Sequence, residues 1–161
     1  SPLTAVILQA TQDADVAEFI PDNNNGDSYW LSVGRTFDSY YFSYIQFNLS
    51  TIPLGSTIDN AELIMRRDTK EGSFEMIVRT VGEAWSENTI TWNNAAISAT
   101  FPFSISNPTL GSDSVIINVK ELVNEWVSGN RPNYGFSLSV NPTVIPDGNA
   151  VIFASRNNSK I

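Results

Sequence analysis

The chain has 161 residues, a length that suits one domain with a substantial buried core. Its formal net charge of −8 disfavours unaided binding to nucleic acid or to an anionic membrane surface. It contains neither Cys nor His, so disulfides, thiolate metal sites and histidine-based acid–base catalysis are excluded. No apolar run reaches the roughly 18 residues that span a bilayer, and we expect no membrane insertion.

Short segments in which apolar and polar residues alternate run along the chain and predict β-strands. In chain order they are residues 4–18, 29–34, 44–49, 61–65, 74–78, 115–119, 136–140 and 151–154. Turn residues such as Pro53 and Gly55 separate neighbouring segments. Residues 101–111 contain two prolines and are expected to be irregular.

One amphipathic helix is predicted at about residues 119–128. Its apolar stripe at helical spacing consists of Val119, Leu122, Val123, Trp126 and Val127. Asn118 is suited to be the N-cap, with Glu121 completing a capping box. The pattern therefore predicts an all-β fold: a single antiparallel β-sandwich domain over residues 1–161, jelly-roll-like, with one short helix.

One tryptophan is expected to lie outside the core. Strand alternation places Trp30 opposite Leu31 and Val33, on a sheet face that meets solvent unless a loop covers it. An exposed indole is a platform for a sugar ring. The candidate carbohydrate-binding patch consists of Trp30, Tyr40, Tyr41 and Arg35.

Oxygen-bearing side chains are concentrated around one loop. They are Asp13, Asp15, Asp22, Asn23, Asn25 and Asp27. Calcium takes six to eight oxygen ligands, so the pattern predicts a structural calcium site, with an Asx-rich turn as the alternative. The spacing is not that of an EF-hand loop, because Pro21 would occupy the first ligand position.

No pattern singles out a catalytic pair. Without His or Cys, the options are paired carboxylates or a Ser–Lys arrangement. Glu83 and Glu87 bracket Trp85, but no spacing assigns an acid and a base. We therefore expect no catalysis, and we expect Trp85, Trp92 and Trp126 to pack inside the protein.

Several motifs follow one another along almost the whole chain, at residues 13–16, 31–34, 43–53, 85–94, 118–126, 133–136 and 153–156. In this order they resemble the DNRLRE domain family, which overlaps disaggregatase-related repeats and a carbohydrate-binding module family. The resemblance implies a jelly-roll sandwich that is secreted or surface-anchored, with carbohydrate binding in some members. The family pattern continues into one more strand, so the resemblance predicts that this strand is missing here or comes from another chain.

Together these observations predict a non-catalytic, extracellular carbohydrate-binding module of a cell-surface or polysaccharide-processing protein. The expected partner is a polysaccharide and the expected cofactor is calcium. The alternative is a structural cell-surface spacer or filament subunit, joined to copies of itself or to neighbouring surface domains by strand addition. The acidic charge opposes binding to uronic-acid polymers unless calcium bridges the two or Arg35, Arg66 and Arg67 form a local basic cluster.

Overall fold

The computed structural model describes residues 4–141 and 145–158, and within them it has nine strands and one helix. In chain order these are β1 (Ala10–Ala17), β2 (Trp30–Thr36), β3 (Ser39–Phe47), β4 (Glu62–Glu71), β5 (Met76–Val81), β6 (Ser98–Ser106), β7 (Ser114–Asn118), α1 (Lys120–Val127), β8 (Phe136–Val140) and β9 (Asn149–Ala154). Every strand pairing is antiparallel, so the all-β prediction is confirmed. No helix in these ranges is long and apolar enough to cross a bilayer.

The strands form one curled sheet in the order β6-β5-β8-β3-β2-β9-β4-β7, with β1 beside β3. Strand β3 joins two layers, because its residues 39–41 pair with β2 whereas its residues 43–45 pair with β8. The first layer is β2, β9, β4 and β7, and the second layer is β1, β3, β8, β5 and β6. This arrangement is consistent with the predicted β-sandwich.

The main core lies between the layers and is closed by the helix. Leu31 and Val33 on β2 are fully buried there, as the alternation predicts. The apolar stripe of α1 is buried too, and the Trp126 ring lies 4.8 Å from the Phe136 ring, centroid to centroid. Trp126 is therefore a core residue, which confirms the packing prediction.

A second, smaller cluster lies on the outer face of the second layer, beneath residues 85–97, which we call the covering loop. Its buried members are Ala14, Val16, Tyr44, Val81, Ile90 and Ala96. Trp85 and Trp92 of the covering loop pack against this cluster, as predicted. The cluster buries one end of the outer face and leaves the other end open.

The structure corrects the predicted start of the helix. The N-cap is Val119, whose side chain makes no capping hydrogen bond. Asn118 is instead the last residue of β7, although its Oδ1 still accepts a hydrogen bond from the Lys120 N–H at 3.0 Å. The capping box was wrong because Val119, the one residue between β7 and α1, has no side-chain acceptor.

The structure also corrects the prediction that residues 101–111 are irregular. Strand β6 runs through Ser98–Ser106 and pairs with β5. Its apolar residues Phe101, Phe103 and Ile105 point outward rather than into the core. An edge strand can accept Pro102 because one of its sides needs no ladder hydrogen bonds, which is why the proline misled the prediction.

Candidate carbohydrate-binding surfaces

Trp30 begins β2, and 37% of its surface is exposed. It is opposite Ala154 of β9, and its backbone N–H donates to Ser28 Oγ at 3.1 Å. The preceding Tyr29 is also exposed. The predicted outward orientation of Trp30 is confirmed, and the indole is available to a ligand at this end of the strand.

Arg35 and Tyr40 contact each other near the β2–β3 turn. They are paired across the two strands, and the Arg35 guanidinium carbon lies 5.5 Å from the Tyr40 ring centroid. Arg35 also forms an ion pair with Asp38, and its Nη1 donates to the Ile145 carbonyl at 3.3 Å. The hydrogen bond to Asp38 raises the pKa of Arg35, and the Asp38 carboxylate balances the charge of this guanidinium within the protein.

Tyr41 lies on the opposite face of β3 from Tyr40, as adjacent strand residues do. Its ring lies 6.0 Å from the Phe19 ring, and partial burial raises the pKa of its hydroxyl. The structure therefore brings Arg35 and Tyr40 together and places Tyr41 beside Phe19. The role of these residues in binding stays a prediction.

Asp13 and Asp15 are buried on β1, so they do not form part of an open loop. Asp15 Oδ2 accepts the Ser32 N–H at 3.0 Å, and burial raises the pKa of this carboxyl. Asp13 Oδ2 accepts the Arg156 N–H at 2.8 Å, whereas Asp13 Oδ1 is buried without a hydrogen-bond partner. Burial raises the pKa of Asp13 to about 6.

Glu87 of the covering loop contacts both Asp13 on β1 and Arg156, which follows β9. Its Oε2 accepts hydrogen bonds from the Asp13 N–H at 2.9 Å and from Arg156 Nε at 3.0 Å. Burial alone would raise the pKa of Glu87, but Arg156 and the Asp13 N–H together lower it below its ordinary value. Glu87 thus has a structural ion pair, a role that sequence spacing did not reveal.

The other four predicted calcium ligands lie in the loop before β2. Asn23 Nδ2 donates to Asn25 Oδ1 at 2.5 Å, and Asp22 Oδ1 accepts a bond from Asn93 Nδ2 at 2.7 Å. Asp27 is exposed. Across residues 4–141 and 145–158, no three acidic side chains are placed to hold a metal ion together, and the calcium site stays a prediction.

Asn24 holds this loop against the covering loop, a contact that sequence analysis missed. Its Nδ2 donates to the carbonyls of Glu87 and Ile90, both at 2.8 Å, and its Oδ1 accepts the Gly26 N–H at 3.2 Å. A Cβ at Gly26 would lie 1.9 Å from the Glu87 carbonyl oxygen, so only glycine fits this approach. The Asn-x-Gly spacing of Asn24 and Gly26 is the sequence feature that could have indicated this contact.

A groove of about 620 Å³ lies where the end of β3 meets α1. Phe47, Asn48, Leu54, Trp126 and Asn133 contribute to its walls. Asn133 Nδ2 donates to the Phe47 carbonyl at 2.7 Å, so this amide is used within the protein. Gln46 Nε2 and Thr11 Oγ1 in the same wall donate to the carbonyls of Asn133 and Gln46, at 2.9 Å and 3.2 Å.

A second exposed aromatic surface lies on β6, where the sequence predicted no element. Phe101 and Phe103 are 64% and 39% exposed, and their ring centroids are 5.4 Å apart. Phe103 is paired with Arg79 of β5, and Ile105 is paired with Ile77. We call these five residues the aromatic face. It lies on the second layer, whereas Trp30 lies on the first.

Comparison with known proteins identifies the family. A model of carbohydrate-binding module family 96 matches residues 4–160. A gellan lyase from Bacillus sp. is 28% identical over 98 residues, which is 58% of this chain but 4% of the lyase. The carbohydrate-binding part of the resemblance is thereby confirmed, while the DNRLRE label stays a prediction. The chain belongs to carbohydrate-binding module family 96.

Proposed function

We propose that the chain is a non-catalytic module that holds a larger extracellular polysaccharide-processing protein on its polysaccharide. The family match over residues 4–160 carries this proposal. The gellan lyase supports it, because the aligned part is a small fraction of that enzyme, as one module of a long protein would be. Gellan is accordingly the first polysaccharide to test.

Trp30 is the proposed stacking residue of the predicted patch. The apolar C–H face of a sugar ring packs on an exposed indole, and Trp30 is exposed opposite two fully buried residues. Tyr41 is paired with Gly34 and therefore shares the face of β2 that carries Trp30, whereas Arg35 and Tyr40 are paired on the opposite face. Tyr41 would add apolar surface beside Trp30, and Arg35 and Tyr40 would have to contact the ligand at the end of the strand. Affinity at one such site is low, and repeated modules in a parent protein would raise it.

Assembly by strand addition is less well supported. On β6, a strand at one end of the sheet, Pro102 has no N–H for a new ladder and the Phe101 carbonyl already accepts Arg131 Nη2 at 2.7 Å. Ser104 Oγ donates to the Asn118 carbonyl at 2.6 Å, which ties the same strand to β7. Another strand would have to break these contacts before pairing here.

Calcium is a further element of the proposal. The buried Asp13 Oδ1 without a partner is the observation that fits a cation, because an ion would compensate its desolvated charge. Melting in calcium and in chelator tests this. A higher melting temperature in calcium, lost in Asp13→Asn, supports the site, and equal melting temperatures contradict it.

The binding test is calorimetric titration of the wild type with gellan and with dextran, each in calcium and in chelator. We expect saturable binding to at least one polymer and a loss of about tenfold or more in Trp30→Ala. Ile116→Ala is the matched control, because Ile116 is an exposed apolar residue on β7. A folded wild type that binds neither of these polymers, nor any other in a panel of neutral and acidic polysaccharides, contradicts the proposed function.

A further inference from the structure

We propose that copies of this chain associate head to tail, with the turn between β2 and β3 of one copy inserted into the groove beside α1 of the next. The inserted group is the Phe37 ring, and Asp38 beside it would supply a hydrogen-bond acceptor. This self-association goes beyond polysaccharide binding and does not depend on it. It also differs from strand addition, because side chains rather than strand edges make the contact.

Phe37 is presented to solvent by a strained turn. With Asp38 it forms the two-residue connection between β2 and β3, and their φ angles of 51° and 57° lie in the left-handed region. Asparagine, aspartate and glycine fit such turns, whereas an aromatic residue adopts this conformation rarely. The Phe37 ring packs little against its own chain, since 90% of its surface is exposed. A strained conformation that the internal packing does not explain indicates a role in contact with a partner.

The turn is held in place by contacts with the loop before β9. The Asp38 N–H donates to Asp147 Oδ1 at 2.8 Å, and Asp38 also forms an ion pair with Arg35. Arg35 Nη1 donates in turn to the Ile145 carbonyl at 3.3 Å. These bonds fix the backbone that carries the Phe37 ring before any contact forms, so little backbone entropy is lost when the ring is buried.

The groove beside α1 is complementary to this turn. Phe47, Leu54 and Trp126 give it apolar walls, and none of the described residues that line it is charged. Leu54 is itself 77% exposed, so an inserted ring would cover it. Trp126 Nε1 is buried and has no acceptor among the described residues. The Asp38 carboxylate, on a side chain that is 80% exposed, would bring an acceptor to this donor.

The turn and the groove lie at opposite ends of β3, so one copy cannot bring them together. The turn immediately precedes Ser39 at the start of the strand, and the groove lies at Phe47, about 27 Å away along nine extended residues. Contact between unlike surfaces of two copies leaves one turn and one groove free, and it therefore extends into open chains. The net charge of −8 opposes this approach, so we expect the association to be weak at low salt.

Sedimentation equilibrium between about 10 μM and about 1 mM, at low and high salt, tests the contact. The mean mass of the wild type should rise with concentration beyond that of a dimer, and more steeply at high salt because screening weakens the repulsion. Phe37→Ala removes the inserted ring and Leu54→Asp places a charge in the groove, so each should weaken association by about tenfold or more. A mixture of these two variants should form dimers and nothing larger, since one keeps the groove and the other keeps the turn.

Phe37→Gly separates association from folding. Glycine adopts a positive φ without strain, so this variant should melt at least as high as the wild type and still fail to associate. Ile116→Ala is the matched control, because Ile116 is an exposed apolar residue on β7, and it should associate as the wild type does.

Four outcomes overturn the head-to-tail contact. A wild type that stays monomeric at both salt concentrations contradicts the association and leaves the proposed function standing. If Phe37→Ala associates as strongly as the wild type, another surface makes the contact. If Leu54→Asp alone forms dimers, turns pair with turns. If the mixture of the two variants stays monomeric, the turn does not enter the groove.

Discussion

The outer face of the second layer has two halves that differ in what covers them. One row of paired residues crosses it from Tyr44 through Ser137 and Arg79 to Phe103. At one end Tyr44 is buried beneath the covering loop, and at the other end Phe103 is open to solvent. Both halves are rich in aromatic residues, so aromatic content alone does not identify a sugar-binding site.

Polar groups distinguish the two halves. In the covered half, Trp85 Nε1 donates to the Tyr134 carbonyl at 2.7 Å and the Tyr44 hydroxyl donates to the Ala96 carbonyl at 3.1 Å. Burial raises the pKa of Tyr44 to about 12, as expected for a hydroxyl that stays protonated. In the open half, no carboxylate of the described residues forms an ion pair with Arg79, whose Nη1 donates to Ser139 Oγ at 3.2 Å.

The largest expected effect is on the covered half. Trp85→Ala should lower the free energy of unfolding by about 3 kcal/mol, because it leaves a cavity beside Tyr44 and removes the bond to the Tyr134 carbonyl. Urea unfolding at pH 7 measures this. Trp85→Phe is the matched control, since it keeps a ring and loses only the N–H, at a cost of about 1 kcal/mol. Equal costs for the two variants would contradict a packing role.

Next in size is the pH dependence of stability that the buried Asp13 imposes. Asp13 lies on the face of β1 opposite Ala14 of the covered cluster, beside Ile45 of the main core. Its folded pKa of about 6 lies above the ordinary 3.8, so folding favours the protonated acid. The contribution of protonated Asp13 to the free energy of unfolding is therefore fully present below about pH 4 and is lost as the pH rises through 6. Asp13→Asn removes this dependence. Relative to that variant, the wild type should lose roughly 2 kcal/mol across this range.

Urea unfolding of both proteins from pH 4 to pH 7 checks this prediction. The difference between the two curves, measured in chelator, removes the contributions that both proteins share. A flat difference would show that Asp13 ionises normally in the fold. A wild type that loses stability relative to Asp13→Asn as the pH falls would contradict the raised pKa of Asp13.

The fold was largely predictable from residue alternation, because burial on one sheet face leaves a period of two in the sequence. The exceptions share a cause. The apolar residues of β6 that alternate, Phe101, Phe103 and Ile105, are exposed, so their spacing does not mark a face that packs into the core. The helix was predicted within one residue of its ends, and only its N-cap was wrong, because Asn118 ends β7 and Val119 is the cap. Both depend on which neighbour an element packs against, which local sequence does not encode.

The candidate sites were less predictable. Alternation gave the orientation of Trp30, but the position of Tyr41 beside Phe19 follows from strand pairing. The suggested basic cluster fails at Arg67, which is buried and donates to the carbonyls of Pro108, Leu110 and Gly111. A guanidinium can donate hydrogen bonds to the carbonyls of a loop or to a ligand, and only the tertiary contacts show which of these it does.

A smaller effect is expected where the Asx-rich loop meets the covering loop. Asn24→Ala removes the two hydrogen bonds to the Glu87 and Ile90 carbonyls, and it should lower the free energy of unfolding by about 1 kcal/mol. Amide hydrogen exchange should rise in the covering loop in particular. Asn23→Ala is the control, because Asn23 donates only within its own loop. Equal effects would show that the two loops are held together elsewhere.

The smallest expected effect is on the open half. Phe101→Ala should change the free energy of unfolding by about 0.5 kcal/mol or less, because the ring is 64% exposed and little of its surface is lost from packing. Urea unfolding beside Trp85→Ala compares the two halves directly. A cost near that of Trp85→Ala would mean that Phe101 supports the fold, and any loss of polysaccharide binding in its variants would then reflect unfolding. A small cost leaves the ring free to act on a ligand.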